Sequence, residues 1–443
     1  MRVAVLASTL VALTLGSPAA AAEVRQRYDL PLVWHVESPG GRPVESIGAD
    51  SPINPASILK VATSLWALER LGPRHRFETV FGVRGTLDAQ TGTLHGDLVV
   101  VGGADPDFHV ENAFLVARAL ERLGLRQVSG RLVVDSAFWI GWEGGADGVL
   151  ADAQHRGTRM ALRLRDALDH RRFSRGTRRE WSGFAERRNI PIAEKPQVVV
   201  LGGVAVSSGS DPSEVLLVHR SNELVQMLKR FNAYSNNDIE RLGHSLGAPD
   251  ELARYLAERF GVGAEAVQID TLSGLGTNRM SPRLIVRLMR ELRATCARLG
   301  LRVEDVLPVA GCDPGTMAAF PRLADGPAAR ALIGKTGTLT YTDGGITALA
   351  GYLETGEGGL VFCVAALRAS GRLGTARRTE EAWLLDRLEA HGGPRAVSCG
   401  LTPWHSDADA RIVPPGGGAA PSVAAPVTEQ PGLAPGRVAS GPN

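Results

Sequence analysis

Residues 55–72 read PASILKVATSLWALERLG, and the chemistry in this stretch is a serine three residues ahead of a lysine. From Ala56 to Leu68 the sole ionisable side chain is Lys60, set among Ile58, Leu59, Val61, Ala62, Leu65, Trp66 and Leu68. Pro55 before the run and Gly72-Pro73 after it are helix start and stop signals. The apolar residues fall on every face, which predicts a helix buried on most sides. A buried ammonium either finds a partner or loses its proton. Residues i and i+3 share a helix face, so the Ser57 hydroxyl and the Lys60 amine can meet. An unprotonated lysine there is the base that a serine nucleophile needs, and the first helical turn favours the developing negative charge. The plain alternative is a core lysine with ordinary partners.

Lysine usage sharpens the question. Of 49 Lys+Arg only four are lysines: Lys60, Lys195, Lys229 and Lys335. Arginine keeps its proton in a protein, whereas a desolvated lysine can release it. A second special lysine opens Lys335-Thr336-Gly337, at the start of a strand-like run. Gly337 would let substrate backbone approach, and the Thr338 N–H would serve an oxyanion hole. Between these pieces, Tyr234-Ser235-Asn236-Asn237 supplies a hydroxyl for proton relay and an amide for a substrate carbonyl. Taken singly, the second is an ordinary turn and the third an ordinary strand start; the order of all three carries the signal.

This triple resembles the penicillin-recognising serine acyl-transferases. Finer matches resemble one branch, the D-alanyl-D-alanine carboxypeptidase/endopeptidases of the penicillin-binding protein 4 type (peptidase family S13). The segments are PASILK, VVGGADPDF, GRLVVDSAF, VHRSNELVQMLKRFNAYSNNDIERLG, LSGLGTNRMSPR, LPVAGCDPGTM and KTGTLTYTDGGITALAGYLE, in that order. The resemblance covers most of 28–140 and 215–370. It implies Ser57 as acylated nucleophile, Lys60 as base, Ser235 in proton transfer and Asn237 on the substrate. It further implies Lys335 and Thr336 on the terminal carboxylate, and the backbone N–H groups of Ser57 and Thr338 as the oxyanion hole. Asp135 matches an aspartate that holds the cationic end of the peptide side chain. Departures are a short insert between Lys60 and Ser235, with a third domain reduced or missing. Gly276 also stands where a serine is usual, and TYTDGG is slightly long.

The implied fold is α/β (α+β): a β-lactamase/transpeptidase-like domain with helices around an antiparallel sheet, plus a smaller, mostly β inserted domain. The expected division is 23–80 with 215–400 for the catalytic part and 81–214 for the insert. Residues 1–22 read as a secretory signal peptide, with Arg2, an apolar run over 3–16 and SPAAAA. The mature protein is thus expected to be exported to a periplasm, without a transmembrane segment. From 403 to 443, Pro, Gly and Ala predict disorder.

Hydrophobic content of 44% and charged content of 22% fit a globular protein, and a net charge of +2 argues against a nucleic-acid partner. Residues 156–188 hold eleven arginines, read as a solvated helical face or, more sharply, as a patch for an anionic wall polymer. No spacing suggests a metal site, and no cofactor is expected. Cys296, Cys312, Cys363 and Cys399 allow one or two disulfides, with the pairing open.

The expected activity is therefore a serine D,D-peptidase on peptidoglycan stem peptides, acylated by β-lactam antibiotics. Two alternatives remain: an inactive cell-wall-binding relative, and a β-lactamase or esterase on the same fold. A class A β-lactamase would need a deacylating glutamate in a short compact domain, which the long insert does not resemble.

Overall fold

The computed structural model describes residues 30–142, 152–207, 209, 211–402 and 404–416. The expected leader at 1–22 and the tail beyond 416 lie outside these residues.

The chain opens with β1 (Leu32–Glu37) and β2 (Pro43–Ile47), an antiparallel pair. A 3₁₀ turn over Ala56–Leu59 runs into helix α1 (Lys60–Leu71). Every residue from Lys60 to Leu68 is buried, as the all-round apolar pattern predicts. Gly72, at φ +80°, ends the helix.

A second sheet follows, with β3 (Glu78–Asp88), β4 (Thr93–Val101), α2 (Val110–Arg122), β5 (Gln127–Val128) and β6 (Leu132–Val134). Helices α3 (Ala153–Leu168) and α4 (Arg175–Arg187) carry the arginine-rich stretch, and β7 (Val199–Val200), β8 (Val204–Val206) and β9 (Glu214–Arg220) return the chain. β3 pairs antiparallel with β4 and β9, while β4 runs parallel to β5 and β6. Phe114, Trp181 and Phe184 stack where α2 meets α4, so the apolar face of the arginine-rich helix is core and its arginines face outward. The insert is thus a sheet covered by three helices, more helical than its strand-like sequence runs suggest.

Helices α5 (Leu224–Tyr234), α6 (Ile239–Leu246), α7 (Pro249–Phe260) and α8 (Pro282–Arg298) then surround α1. After the short α9 (Pro321–Ala324), strands β10 (Leu332–Leu339), β11 (Ile346–Thr355) and β12 (Gly358–Leu367) join β1 and β2 in a five-stranded antiparallel sheet, in the order β10-β11-β12-β1-β2. One face packs on α1 and α8. The other receives α10 (Leu373–Ala390), whose Trp383 ring lies 5.8 Å from that of Trp34.

Two expected boundaries change. The whole of β9 belongs to the second sheet, so the return to the catalytic part falls after Arg220, beyond residue 215. The tail read as disordered from 403 contains β13 (Arg411–Val413), antiparallel to β9. Local sequence explains this: WHSDADARIV is not Pro/Gly-rich, and its acids have partners. Asp407 pairs with Arg187 and Arg188 of the insert, and Asp409 with Arg76. Cys312 and Cys399 form a disulfide, and Cys296 and Cys363 are buried free thiols.

Candidate active site

The turn that carries Ser57 is held in an unfavourable conformation. Ala56 has φ +48°, which costs a non-glycine residue on the order of 1 kcal/mol or more. Asn54 Oδ1 accepts the Ala56 N–H at 3.0 Å, while Asn54 Nδ2 donates to Gly276 O at 2.8 Å and Asp343 Oδ2 at 3.0 Å. Gly276 and the TYTDGG segment, both departures in the sequence, therefore brace the Ser57 turn. Strand β10 passes close by. A Cβ on Gly337 would lie 2.7 Å from Pro55 O, so the glycine admits the protein's own Ser57 turn on that side.

Lys60 is wholly buried, and its neighbours define its protonation. Nζ donates to Ser273 O at 2.6 Å and to Asn237 Oδ1 at 2.9 Å, and lies 3.1 Å from Ser57 Oγ. A neutral amine has two N–H groups and one lone pair. The carbonyl and the amide take the two N–H groups, which leaves the lone pair for the Ser57 hydroxyl. Burial lowers the Lys60 pKa to about 7, against the opposing charge of Glu240. The chain holds a natural contrast. Lys229 is equally buried but ion-paired with Asp313, and it also donates to Glu304 O and Leu307 O at 2.7 and 2.8 Å. It is the ordinary core lysine; among the described residues Lys60 has no carboxylate at ion-pair distance.

Helix α5 ends at Ser235, which takes the left-handed conformation at φ +55° and donates its N–H to Phe231 O. That bend aims its hydroxyl at Lys335, whose Nζ lies 3.0 Å from Ser235 Oγ and 2.8 Å from Thr336 O. Burial, and secondarily the charge of Lys60, depresses the Lys335 pKa well below its usual value. Ser57, Ser235, Thr336 and Thr338 line one cleft of about 300 Å³ together with Gly315, Thr316, Ala319 and Arg377. Thr336 donates to Thr316 Oγ1 at 2.8 Å.

Asp135 is placed apart from this group. Its carboxylate accepts the backbone N–H groups of Gly102, Ala137 and Phe138 at 2.8–3.1 Å, so its acceptor capacity closes the turn after β6. Burial raises its pKa despite these bonds. None of its hydrogen bonds reaches the Ser57 cleft, and it does not line it.

Several contributors have no motif to announce them. Glu240 on α6 accepts the N–H groups of Leu272 and Ser273 at 3.0 and 2.7 Å, which fixes the carbonyl on Lys60. Its only hint is a lone acid in an apolar helix face. Asp107, His109 and Asp238 bring ligand atoms within 4.8 Å of one another, the one such group among the described residues. Arg230 contacts Asp107 and Arg241 contacts Asp238, so arginines already supply the positive charge a metal would bring. The cluster ties the Ala-Asp-Pro-Asp loop of the insert to the helix after Asn237.

In the arginine-rich stretch, Arg171 pairs with Asp169, Arg165 with Asp166, and Arg187 and Arg188 with Asp407. Much of that charge is engaged in ordinary helix-end and surface pairs, and nothing in it marks an anionic-polymer site.

A strained serine turn, a buried neutralisable lysine and a second buried lysine against the Ser235 hydroxyl of the cleft define a serine acyl-transfer enzyme of the transpeptidase-like class. The chain matches the D-Ala-D-Ala carboxypeptidase 3 (S13) family over residues 38–156 and 194–388, and it belongs to that family. The break in the match falls on α3 and α4. Similar solved structures include the predatory peptidoglycan endopeptidase Bd3459 of Bdellovibrio bacteriovorus, at TM-score 0.71 and 20% identity, covering 86% of this chain and 98% of that one. A penicillin G-acylated form of that endopeptidase, with an immunity protein, matches at TM-score 0.68 and 20% identity over 86% and 99%. Penicillin binding protein 4 from Haemophilus influenzae matches at TM-score 0.60 and 17% identity over 84% and 99%. These likenesses establish a shared fold. Among the described residues, no helix is long and apolar enough to cross a membrane.

Proposed function

We propose that the protein is a serine D,D-peptidase acting on peptidoglycan stem peptides through an acyl-enzyme on Ser57. The observation that carries this is the Lys60 amine, with both N–H groups occupied by neutral acceptors and its remaining face 3.1 Å from Ser57 Oγ. Neutral Lys60 takes the Ser57 proton as Oγ attacks the carbonyl carbon of the penultimate D-alanine. The oxyanion sits against the backbone N–H groups of Ser57 and Thr338, both of which line the cleft. The C–N bond then breaks, and the departing amine receives a proton through Ser235, which Lys335 contacts. Water hydrolyses the ester by the same base. Asn237 holds Lys60 and, on this reading, the substrate amide. End-trimming and cross-link cleavage break the same type of D-Ala amide, and both fit the site.

The family assignment, and the acylated endopeptidase of the same fold, support this reading. The leader-like N-terminus and the Cys312–Cys399 disulfide support export to an oxidising compartment, with the periplasm as the proposed location. The test is acylation of the purified protein by a fluorescent penicillin, with Ser57→Ala alongside and the adduct mapped by mass spectrometry. A Ser57 adduct absent from the variant is expected. No adduct on a folded protein would replace this proposal with a wall-binding protein that keeps a vestigial site.

A further inference from the structure

Of the four lysines, Lys60, Lys229 and Lys335 are wholly buried against partners inside the protein. Lys195 is the exception: it is half-buried and lines a surface hollow of about 310 Å³ on the insert. Arg118 and Arg122 of α2 and Arg126 beyond it line the same hollow, so four cations converge from three stretches of chain. Both acids of the hollow are already engaged. Glu194 pairs with Arg118 at 3.2 Å, and Glu121 accepts the Gln197 N–H at 2.6 Å. Among the described residues, Arg122, Arg126 and Lys195 make no ion pair. Arg122 alone has an ordinary explanation, since it sits in the last turn of α2, where a cation suits the helix dipole. Arg126 and Lys195 lie outside that helix, and unpaired like charges round one hollow repel one another until an anion joins them.

Two exposed aliphatic side chains flank these cations. Leu123 follows Arg122 and is 50% exposed. Ile192, 55% exposed, sits in the tight turn leading into Lys195, where the Glu194 N–H donates to Pro191 O at 2.9 Å. Basic groups beside outward-facing aliphatic side chains match the boundary of a lipid layer, where phosphate meets acyl chain. A soluble anion or a hydrated wall polymer would gain nothing from the aliphatic pair. We infer that the hollow binds the phosphate of an anionic lipid headgroup and docks the insert on a membrane surface, with Leu123 and Ile192 entering the interface. The hollow shares no lining residue with the Ser57 cleft, so docking leaves the reacting groups untouched.

The experiment is cosedimentation of the whole protein with phosphatidylcholine vesicles, with and without phosphatidylglycerol. The wild type should bind only the vesicles that contain phosphatidylglycerol, and less as salt is raised. Arg122→Gln/Arg126→Gln/Lys195→Gln should weaken binding by roughly 100-fold, about fivefold for each cation removed. Leu123→Ser/Ile192→Ser should weaken it several-fold. A control, Arg175→Gln/Arg178→Gln/Arg179→Gln, removes three exposed arginines of α4 and should change little. An unchanged melting temperature in each variant reports folding independently of the Ser57 chemistry. No binding by the wild type, or an equal loss in the α4 variant, would overturn the inference. So would displacement by millimolar glycerol 3-phosphate together with unchanged binding of Leu123→Ser/Ile192→Ser, which would mark a site for a soluble phosphate.

Discussion

Glu240 and Lys60 are coupled through the backbone of one residue. The Glu240 carboxylate accepts the Ser273 N–H at 2.7 Å, and the Ser273 carbonyl accepts from Lys60 Nζ at 2.6 Å. The acid thus acts on the lysine twice, by fixing one of its acceptors and by favouring its charged form through space. Burial alone would raise the Glu240 pKa, but hydrogen bonds from His244, Ser273 and Leu272 bring it below its ordinary value, so it is an anion at neutral pH.

Removing that anion should move the base. In Glu240→Gln one oxygen acceptor becomes an NH₂ facing a backbone N–H. The maximal acylation rate should fall roughly tenfold, the cost of one or two misplaced hydrogen bonds. The acid limb of the pH profile should move to lower pH, because the charge that raised the Lys60 pKa is gone. Stopped-flow acylation across pH 5–9 reads both effects; a lower rate with an unmoved limb would leave Glu240 only a structural role.

The wild-type profile follows from Lys60 itself. Acylation needs the neutral amine, and its pKa is lowered to about 7 by burial. The rate should therefore rise with pH through about 7 and fall about tenfold per unit well below it. Lys335 interacts with Lys60, so the observed midpoint belongs to the pair. Lys60→Arg should abolish acylation, since arginine keeps its proton. Retained acylation in that variant would sink the base assignment.

The Cys312–Cys399 bond closes a sequence separation of 87 residues and anchors the loop whose Gly315 and Thr316 line the cleft. Chain entropy for a loop of that size gives a stabilisation of about 4–5 kcal/mol. Urea denaturation of Cys312→Ser/Cys399→Ser should show a loss of that order. Alkylation of the folded wild type should label no thiol, because Cys296 and Cys363 are buried.

Glu380 makes stability pH-dependent. Burial raises its carboxyl to about 8, partly opposed by hydrogen bonds from Thr347 and Ala366. The unfolded chain ionises it near its ordinary value. The protonated group's contribution is therefore full below that value and is lost as pH rises toward 8. Glu380→Gln should match the wild type near pH 4 and exceed it at pH 8 by an amount on the order of a few kcal/mol. Thermal melts at the two pH values check this; an equal difference at both would reject it.

Local sequence was enough for much of this protein. The apolar setting of Lys60 predicted a buried helix, and α1 is one. Scarcity of lysine, with three short motifs in order, singled out Ser57, Lys60, Ser235, Asn237 and Lys335. Their types and spacing dictate the chemistry, and helical and strand periodicity dictates their elements. The family resemblance followed from the same segments, and the match over 38–156 and 194–388 bears it out.

What sequence could not supply is every relation set by packing between distant segments. The three backbone N–H groups that meet the Asp135 carboxylate are presented only by the folded turn after β6. The side of Gly337 that a Cβ would take is occupied by the Ser57 turn, a close approach between segments nearly 300 residues apart. The segment 404–416 read as tail because composition averages over its neighbours; its pairing with β9 depends on arginines more than 200 residues away. Arg377 is one cation among 49 Lys+Arg until α10 docks on the sheet and places it in the lining of the cleft. A side chain's chemistry is written in its type, but whether that chemistry is spent inside the protein or left for a ligand depends on which donors, acceptors and charges the tertiary fold sets against it.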